Sequence, residues 1–330
     1  MTTLTVLDAA AVRRVVSDRH LVLEAVRAAY LAFSAETTSN PHSHFLRFAD
    51  QPSSRIIALP ARMRTDGRDV AGIKWVASFP GNHEVGLPRA SAVVVLNEMA
   101  TGRPIALLEA SQINIARTAA SAALVLSALV GESAPLRSVG LVGGGPVGQE
   151  IVSYIAAAGH ELDRLVIHDL REELSAQAAR TLAPTARVAV TGTLADVLAC
   201  DVVVTATTAT APYVDTPPRP GQVYLNISLR DFHPAALRDA ANIVDDVEHC
   251  VRERTSPHLT ALELGHTDFI ATTIPRLLGG EMVDLDRGVV VSPFGLGVLD
   301  LAVAAAVLAS TDHPSAVVRN FYGDAPCVIA

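Results

Sequence analysis

The pattern of apolar and polar positions changes character after about residue 117. From residue 138 onward, short apolar runs alternate with helical stretches, starting with a run at 138–142 and a helical stretch at 147–158. These runs are too apolar for a sheet with one solvated face, which predicts a parallel sheet covered by helices on both sides. The other strand-like runs lie at 164–168, 187–191, 201–205 and 222–227, with a helix predicted at 172–182.

The earlier part of the chain predicts a different arrangement. Residues 20–36 place apolar side chains at helical spacing, which indicates an amphipathic helix. Strand-like segments and turn signals follow, so we expect a mostly antiparallel α+β unit, then a helix at 112–129 and a later helix at 299–308 that returns to this unit. The strand-like segments lie near 43–48, 55–60, 70–78, 90–97 and 104–109, and the turn signals are Pro60, Asp66-Gly67, Pro80-Gly81-Asn82 and Thr101-Gly102.

The whole pattern predicts an α/β protein of two domains. Residues 1–117 and 298–330 would form the α+β domain, and residues 118–297 a Rossmann-type doubly wound parallel sheet. A chain of 330 residues agrees with this division, because domains average about 150 residues.

A glycine-rich turn directly follows the first strand of the second domain. Residues 143–148 read Gly-Gly-Gly-Pro-Val-Gly and open a helix, which is the context that a dinucleotide site requires of G-x-G-x-x-G. Gly143 would allow the tight turn, Gly145 the approach of a pyrophosphate, and Gly148 close packing of helix on strand. The helix starting at Pro146 and Val147 would offer unpaired N–H groups to the phosphates.

Asp169 ends the next strand, 21 residues after Gly148. A carboxylate there can accept hydrogen bonds from the ribose hydroxyls and repels a 2′-phosphate, which favours NAD, while the nearby Arg171 keeps NADP as an alternative. Small residues at the ends of later strands are candidates to line the nicotinamide side, although a plain strand-to-loop exit would look the same: Thr205, Ala206, Thr207 and Ser228.

Lys74 is the only lysine among the 26 basic residues, and it lies in the apolar stretch 70–77. A buried ammonium is costly unless it is paired, and its pKa can shift where that of a guanidinium cannot, so we expect a functional role. Arginines in apolar or small-residue contexts accompany it and together indicate an anionic substrate. They are Arg47, Arg55, Arg89 and Arg117.

Asp231 comes just after a strand of the second domain, where ligands of open α/β sheets bind. It could orient or deprotonate a water that attacks an imine. It could equally cap the helix that starts near His233-Pro234, and the sequence leaves both interpretations open.

Composition excludes several classes of function. The net charge of −8 argues against nucleic acid as a partner, and apolar runs such as 301–309 fall short of the roughly 18 residues of a membrane span. No signal peptide is predicted, and neither the three cysteines nor the eleven histidines show metal-ligand spacing. We therefore expect a cytoplasmic protein with no metal, no nucleic acid and no membrane partner.

Several segments, taken in order, resemble the ornithine cyclodeaminase/mu-crystallin family over nearly the whole chain. Within that family the chain looks most similar to the dehydrogenase branch of 2,3-diaminopropionate biosynthesis, which supplies siderophore and peptide-antibiotic pathways. The segments are Ala71-Gly72-Ile73-Lys74-Trp75, Ser78-Phe79-Pro80-Gly81-Asn82, Pro88-Arg89-Ala90-Ser91-Ala92, Ala116-Arg117-Thr118-Ala119-Ala120-Ser121, Ser228-Leu229-Arg230-Asp231 and Ser292-Pro293-Phe294-Gly295-Leu296-Gly297-Val298-Leu299-Asp300.

The resemblance implies roles for individual residues. Lys74 and Asp231 match the catalytic residues, and Arg117 with either Arg47 or Arg55 matches the carboxylate-binding arginines. Two further arginines, Arg89 and Arg230, are candidates for the extra carboxylates of a larger substrate. A homodimer is implied too, in which the first domain binds substrate and forms the dimer.

The implied reaction is NAD-dependent oxidation of N-(1-amino-1-carboxy-2-ethyl)-glutamate, followed by hydrolysis to 2-oxoglutarate and L-2,3-diaminopropionate. Two departures from the family pattern bear on the substrate. Residues 56–59 are apolar where ornithine cyclodeaminases carry an acid, and Leu229-Arg230 replaces the usual Gly-Gly. Ornithine cyclodeaminase, alanine dehydrogenase, ketimine reductase and a non-catalytic nucleotide-dependent binding protein of mu-crystallin type remain the alternatives.

Overall fold

The computed structural model describes residues 3–65 and 68–323, so the predicted turn at Asp66-Gly67 and the third cysteine, Cys327, lie outside the described residues. The chain divides into two compact units. The first unit is Met1–Arg117 together with Leu296–Ala330, and the second is Thr118–Gly295.

The first unit combines a mixed sheet with helices on its buried face. Its leading part contains, in chain order, β1 (Thr3–Leu7), α1 (Ala9–Val16), α2 (Arg19–Ser34), β2 (Thr38–Ser39), β3 (His44–Phe48), β4 (Gln51–Thr65), β5 (Arg68–Ser78), β6 (Ala90–Glu98) and β7 (Pro104–Glu109). The helix α3 (Ser111–Val130) follows, and the division between the units falls within it.

The second unit contains an eight-stranded sheet whose strands are all parallel, and a parallel sheet is what the sequence predicts. Its elements are β8 (Val139–Val142), α4 (Pro146–Ala157), β9 (Leu162–His168), α5 (Glu172–Leu182), β10 (Ala186–Thr191), α6 (Leu194–Leu198), β11 (Val202–Thr205), β12 (Val223–Asn226), α7 (Pro234–Arg238), β13 (Ala241–Val244), α8 (Val247–Cys250), α9 (Ser256–Leu264), β14 (Ile270–Thr273), α10 (Ile274–Leu278) and β15 (Val289–Ser292). The strand order is β10-β9-β8-β11-β12-β15-β13-β14. Every residue of β8, β11, β12, β13 and β15 is buried, as expected for a sheet covered on both faces.

The chain then returns to the first unit with α11 (Gly297–Ala309) and β16 (Ala316–Arg319). The strand order there is β16-β1-β7-β6-β5-β4-β2, with β3 also paired to β4, and every pair is antiparallel except β1 with β7. Helix α11 packs against α2 and against β4, β5 and β6. It therefore covers the centre of the sheet.

The predicted turn at Pro60 is wrong, because Pro60 lies inside the 15-residue strand β4. On one side of β4 the pairing is continuous with β5. On the other side β3 pairs as far as Ala58 and β2 pairs only from Arg62, so Pro60 falls in the gap between them. A proline whose nitrogen faces this gap removes no ladder hydrogen bond, so the strand can pass through it.

Helix α3 has the length and apolar composition of a membrane span. However, 61% of its most apolar window is buried inside the protein. Buried core helices of globular domains show the same composition, so we interpret α3 as a core helix.

Candidate active site

Lys74 lies at the centre of β5, where its neighbours across the sheet are Leu59 and Val94. Its side chain is almost completely buried, at 1% exposure. The Nζ atom lies 2.7 Å from Oδ2 of Asp300 and donates a hydrogen bond of 3.0 Å to Oδ1 of Asn114. The predicted buried lysine is therefore paired, as its burial requires.

Asp300 is the only charged residue of α11, and it is fully buried. Its Oδ1 lies 3.2 Å from Nε of Arg117, whose Nη2 donates a 2.8 Å hydrogen bond to the same Asn114 oxygen that Lys74 uses. The two cations, the carboxylate and the amide oxygen thus form one closed cluster. We call these four residues, Lys74, Asn114, Arg117 and Asp300, the lysine cluster.

The pKa of Lys74 is lowered from its ordinary 10.5 to about 8. Burial is the main cause, because it penalises the charged form, and the nearby charge of Arg117 acts in the same direction. The carboxylate of Asp300 opposes both effects. At neutral pH Lys74 is therefore mostly an ammonium that can release its proton under mildly alkaline conditions.

The strand register places further cations on the face that carries Lys74. Because partners across a sheet share a face, Arg55 lies on this face opposite Ser78, four residues along β5 from Lys74. Arg47 is the direct partner of Arg55 on β3, so both alternatives for the second carboxylate-binding arginine share the face. The Arg47 guanidinium stacks 4.7 Å from the centre of the Phe45 ring.

Arg89 precedes β6 at the base of the β5–β6 hairpin, where its carbonyl oxygen accepts a 2.8 Å hydrogen bond from the Phe79 N–H. Its side chain is exposed, yet partial desolvation and, second, the neighbouring charge of Arg55 lower its pKa. Arg230 belongs to the second unit, and its Nη2 donates to the carbonyl oxygen of Glu253. Arg230 is therefore held by a loop of its own unit.

The glycines of the predicted dinucleotide turn have the backbone geometry that requires glycine. Gly143 has φ of +97°, and a Cβ there would lie 2.4 Å from the Ala206 carbonyl oxygen. A Cβ on Gly148 would lie 2.6 Å from the Gly143 carbonyl oxygen, so α4 packs closely on the turn. A Cβ on Gly145, in contrast, would meet no protein atom within 4 Å.

Gly145 is the N-cap of α4, with Pro146 in the first turn and no side chain capping the helix. Val147 follows as the next residue of the helix. An uncapped helix start next to open space above Gly145 is a suitable cradle for a phosphate group. The turn therefore leaves room on the side where a pyrophosphate would lie.

Asp169 lies beside this turn. Its Oδ2 accepts a 2.9 Å hydrogen bond from the Gly144 N–H, and its Oδ1 accepts one of 2.9 Å from the N–H of Arg171. Arg171 is exposed and is the residue before α5. The carboxylate is thus fixed next to the glycine turn, in the place expected for a ribose-binding acid.

Asp231 is fully buried and accepts hydrogen bonds from two hydroxyl groups. Thr207 Oγ1 donates to its Oδ1 at 2.7 Å, and Ser228 Oγ donates to its Oδ2. The cap of α7 is instead His233, so the capping interpretation of Asp231 is wrong. Between Ser228 and Asp231, Leu229 adopts a left-handed φ of +66°, at the position where the family pattern has glycine.

The candidates at the strand ends differ in accessibility. Thr205 is fully buried, with its hydroxyl 3.4 Å from Oδ1 of Asn226, whereas Ala206 and Thr207 are half-buried. Thr207 and Ser228 are linked through a 3.1 Å hydrogen bond from the Thr207 N–H to Ser228 Oγ. Ala206, Thr207 and Ser228 therefore remain the accessible residues of this group.

Sequence reasoning missed three residues: Asn114, Asp300 and the buried Ser78. A signal for Asp300 was present, since one acid stands in an otherwise apolar helix just as one lysine stands in an apolar strand. Two such isolated opposite charges are expected to pair. Asn114 and Ser78 give no comparable signal, because single neutral polar residues are common in any element.

Comparison with known proteins identifies chains that are similar to this one in sequence and in fold. Residues 4–219 match the model of the ornithine cyclodeaminase/mu-crystallin family. The N-((2S)-2-amino-2-carboxyethyl)-L-glutamate dehydrogenase of Staphylococcus aureus is 26% identical over 76% of this chain and 77% of its own.

Two solved structures are similar over nearly their whole length. The crystal structure of CmnK is 30% identical, covers 94% of this chain and 95% of its own, and superposes with a TM-score of 0.83. An archaeal alanine dehydrogenase dimer with bound NAD is 21% identical, covers 97% of this chain and 100% of its own, and has a TM-score of 0.86.

Among the described residues, no group of three or more histidine, cysteine or acidic side chains could hold a metal ion.

Proposed function

Since the chain belongs to the ornithine cyclodeaminase/mu-crystallin family, we propose that it is an NAD-dependent oxidoreductase acting on a carbon–nitrogen bond. The proposed substrate is N-(1-amino-1-carboxy-2-ethyl)-glutamate, called here the glutamate adduct, and the products are 2-oxoglutarate and L-2,3-diaminopropionate. The observation that carries the proposal is the lysine cluster, in which a buried ammonium and a guanidinium share one carboxylate. The similarity to the N-((2S)-2-amino-2-carboxyethyl)-L-glutamate dehydrogenase of Staphylococcus aureus supports this substrate class.

The turn at residues 143–148 fits NAD. The open space above Gly145, the uncapped start of α4 and the carboxylate of Asp169 would hold the pyrophosphate and the adenosine ribose. Pro146 and Val147 form the first helical turn, Arg171 flanks Asp169, and Ala206, Thr207 and Ser228 would line the nicotinamide side. NAD, when bound, accepts a hydride at C4 of its nicotinamide.

Arg117 and Lys74 would hold the α-carboxylate of the glutamyl part. Arg47 lies farther along the same face, beside Arg55. Loss of hydride from the glutamyl Cα leaves an imine between that carbon and the nitrogen of the adduct. The Lys74 ammonium would polarise the developing imine acid and exchange a proton with it, which its pKa of about 8 allows near neutral pH.

Asp231 would act in hydrolysis. Its carboxylate, fixed by Thr207 and Ser228, would orient a water and accept its proton as the oxygen attacks the imine carbon. Cleavage of the carbon–nitrogen bond then gives 2-oxoglutarate, and the nitrogen leaves with 2,3-diaminopropionate.

The Lys74 face disfavours ornithine. Between Lys74 and Ser78 this face carries Val76 and its partner Ile57, both apolar. The ammonium at the end of an ornithine side chain would find no carboxylate from these residues, and burying it unpaired is costly. The glutamate adduct instead brings carboxylates to a face with several arginines.

We further propose a homodimer formed through the opposite face of this sheet, called here the outer face. Trp75 and its partners Ala58 and Val93 lie on it, together with Leu46 and Ile73. Trp75 is 43% exposed and Leu46 47%. An apolar sheet face of this kind is expected to be covered by another protein surface, and a second copy supplies the same apolar patch.

The proposal is tested by incubating the purified protein with NAD and one of three substrates, the glutamate adduct, ornithine or alanine. We expect NADH to form with the adduct and mass spectrometry to detect 2-oxoglutarate and 2,3-diaminopropionate in equal amounts. Ornithine and alanine should give kcat/KM values lower by at least about a hundredfold, because they lack the additional carboxylates. A cyclic ketimine acid with NADH tests the reductase alternative.

Turnover of ornithine or alanine alone would refute the proposed substrate while leaving the reaction class intact. Binding of NAD without turnover of any of these compounds would identify a nucleotide-dependent binding protein. In either case Lys74→Ala and Asp231→Asn would show whether these residues act in chemistry.

A further inference from the structure

The end of the Lys74 face near Ser78 has two features that the proposed reaction at Lys74 does not use. Ser78 is buried at 8% exposure, and its hydroxyl has no hydrogen-bond partner among the described residues. An unsatisfied buried hydroxyl is costly, and a ligand oxygen that accepts its hydrogen bond would remove that cost. The second feature is the gathering of cations around it.

Arg55 is the direct neighbour of Ser78 across the sheet and is half-buried. Arg89 lies at the base of the same hairpin, since the residue that follows it, Ala90, pairs with Ser78 on the other side. Its charge is close enough to that of Arg55 for the two to disfavour each other. Like charges held together in this way favour an anion between them.

The hairpin that carries Arg89 is held in a fixed conformation. The side-chain NH2 of Asn82 donates a 2.9 Å hydrogen bond to the Pro88 carbonyl oxygen. The backbone carbonyl oxygen of Asn82 accepts one of 2.9 Å from the Leu87 N–H. Together with the Phe79 to Arg89 hydrogen bond, these contacts close the loop just before Arg89. The backbone at Arg89 is therefore positioned in advance of ligand binding.

We propose that Ser78, Arg55 and Arg89 form a subsite for the γ-carboxylate of the glutamyl part, so that the enzyme selects amines built on a five-carbon dicarboxylic acid. This inference rests on the proposed function and specifies its substrate. We call these three residues the distal subsite. It lies four strand positions, or about 13 Å, along β5 from Lys74, and the long arginine side chains span part of that distance.

The residues between the two ends of the face identify which carboxylate is bound. Val76 and Ile57 are apolar and match the two methylene groups between the glutamyl Cα and its γ-carboxylate. The other arm of the adduct carries an ammonium on the same carbon as its carboxylate. Two guanidinium groups would repel that ammonium, so the γ-carboxylate is the better occupant of the distal subsite.

The test compares the glutamate adduct with the corresponding glutamine adduct, in which the γ-carboxylate is a neutral amide of the same shape. Arg55→Gln and Arg89→Gln should each raise KM for the glutamate adduct by about 10- to 100-fold with kcat nearly unchanged, as expected for the loss of a charged hydrogen bond. For the glutamine adduct the same variants should change KM by less than about threefold. Arg13→Gln, at an exposed position on α1, is the matched control and should change neither.

Ser78→Ala provides a readout that a structural role would not give. Removing an unsatisfied buried hydroxyl should keep or raise the melting temperature, while KM for the glutamate adduct rises by about 2- to 10-fold because a neutral hydrogen bond to the ligand is lost. A fall in melting temperature with KM unchanged would remove Ser78 from the subsite.

A binding measurement separates failure of the subsite from failure of the proposed reaction. In the presence of NADH, isothermal titration should show that the wild-type protein binds 2-oxoglutarate at least about tenfold more tightly than 2-oxobutyrate, and that Arg89→Gln removes this preference. Equal affinities in the wild type, or variants that treat the two adducts alike, would refute the distal subsite even if the adduct is oxidised. A preference for 2-oxoglutarate without oxidation of the adduct would support the subsite and refute the reaction.

Discussion

The Nζ atom of Lys74 lies 2.7 Å from Oδ2 of Asp300, although the two residues are 226 positions apart in the chain. Lys74 comes from the middle of a strand, and Asp300 from the first turn of the helix that covers it. Neither side chain reaches solvent, so removal of one would leave the other as a buried charge without its partner. Asp300 is therefore a positioning residue that also controls the protonation of Lys74.

Replacing Asp300 by asparagine should move the alkaline limb of the pH–rate profile to lower pH. In the wild type this limb should lie near pH 8, where Lys74 loses its proton. Asp300 raises the pKa of Lys74, so Asp300→Asn should lower that pKa further. The measurement is kcat/KM for the glutamate adduct from about pH 6 to about pH 10, a range that extends to both sides of the pKa of Lys74. Lys74→Ala is the inactive reference.

Asp69→Asn is the matched control for this experiment. Asp69 lies on the same strand and forms a partly exposed ion pair with Arg62 at 2.8 Å. Exposed pairs contribute little, so the control should retain the wild-type profile. An alkaline limb that stays in place in Asp300→Asn would show that Lys74 does not control it.

Asp231→Asn should lower kcat by about 100- to 10,000-fold, as expected for loss of a general base. The affinity for NAD should be unchanged, because the asparagine oxygen can still accept the hydrogen bond from Thr207. The asparagine NH2 group can donate to Ser228 Oγ, whose own hydroxyl can then donate to the Thr205 carbonyl oxygen. Steady-state kinetics and NAD titration check the two effects separately. The exposed Asp239→Asn, in the same unit, should behave as the wild type, and a comparable kcat in Asp231→Asn would remove Asp231 from the chemistry.

Two glycine-to-alanine changes in the dinucleotide turn should act on different properties, one on NAD affinity and the other on stability. In Gly145→Ala the new Cβ meets no protein atom, and the residue has an ordinary φ of −75°, so the melting temperature should be unchanged. The Cβ would occupy the space proposed for the pyrophosphate, so the Kd for NAD should rise by about tenfold or more, which corresponds to at least about 1.4 kcal/mol. Gly148→Ala places a Cβ 2.6 Å from the Gly143 carbonyl oxygen and should destabilise the fold by about 1–3 kcal/mol.

Thermal unfolding and NAD titration of both variants test this contrast. Wild-type affinity for NAD in Gly145→Ala would mean that the pyrophosphate does not lie above this residue. A stable Gly148→Ala would show that α4 can move away from the turn.

Trp75→Glu should convert the proposed dimer into a monomer, because it places a charge in the centre of the apolar outer face. Analytical ultracentrifugation measures the mass of each species. The matched control is Leu262→Glu, at a 65% exposed position of the second unit, which should leave the dimer intact. A monomeric wild-type protein, or a dimeric Trp75→Glu, would refute this interface.

The sequence is sufficient to predict the second unit in outline. Its strands are short apolar runs with helices between them, and both signals are local. The glycine turn is equally predictable, because Gly143 and Gly148 occupy places where a Cβ would strike backbone atoms. The strands β13, β14 and β15 are not predicted, since four-residue apolar segments resemble buried loops and helix ends.

The candidate site is predictable only as a set of residue types. The isolation of Lys74 indicates that it needs a partner, but local periodicity cannot name one that is 226 residues away. At Pro60 the local signal is misleading. A proline favours a turn, but here the strand continues because the two neighbouring strands leave a gap beside it. Ser78 and Arg55 become neighbours only through the register of β4 on β5.

The presence of one lysine in the whole chain makes this protein convenient for spectroscopy. Growth on isotope-labelled lysine would place the label at a single buried amine, so its NMR signal would need no assignment. The chemical shift of that amine, followed as the buffer is made more alkaline, would report its proton loss in the resting enzyme and again with each ligand added.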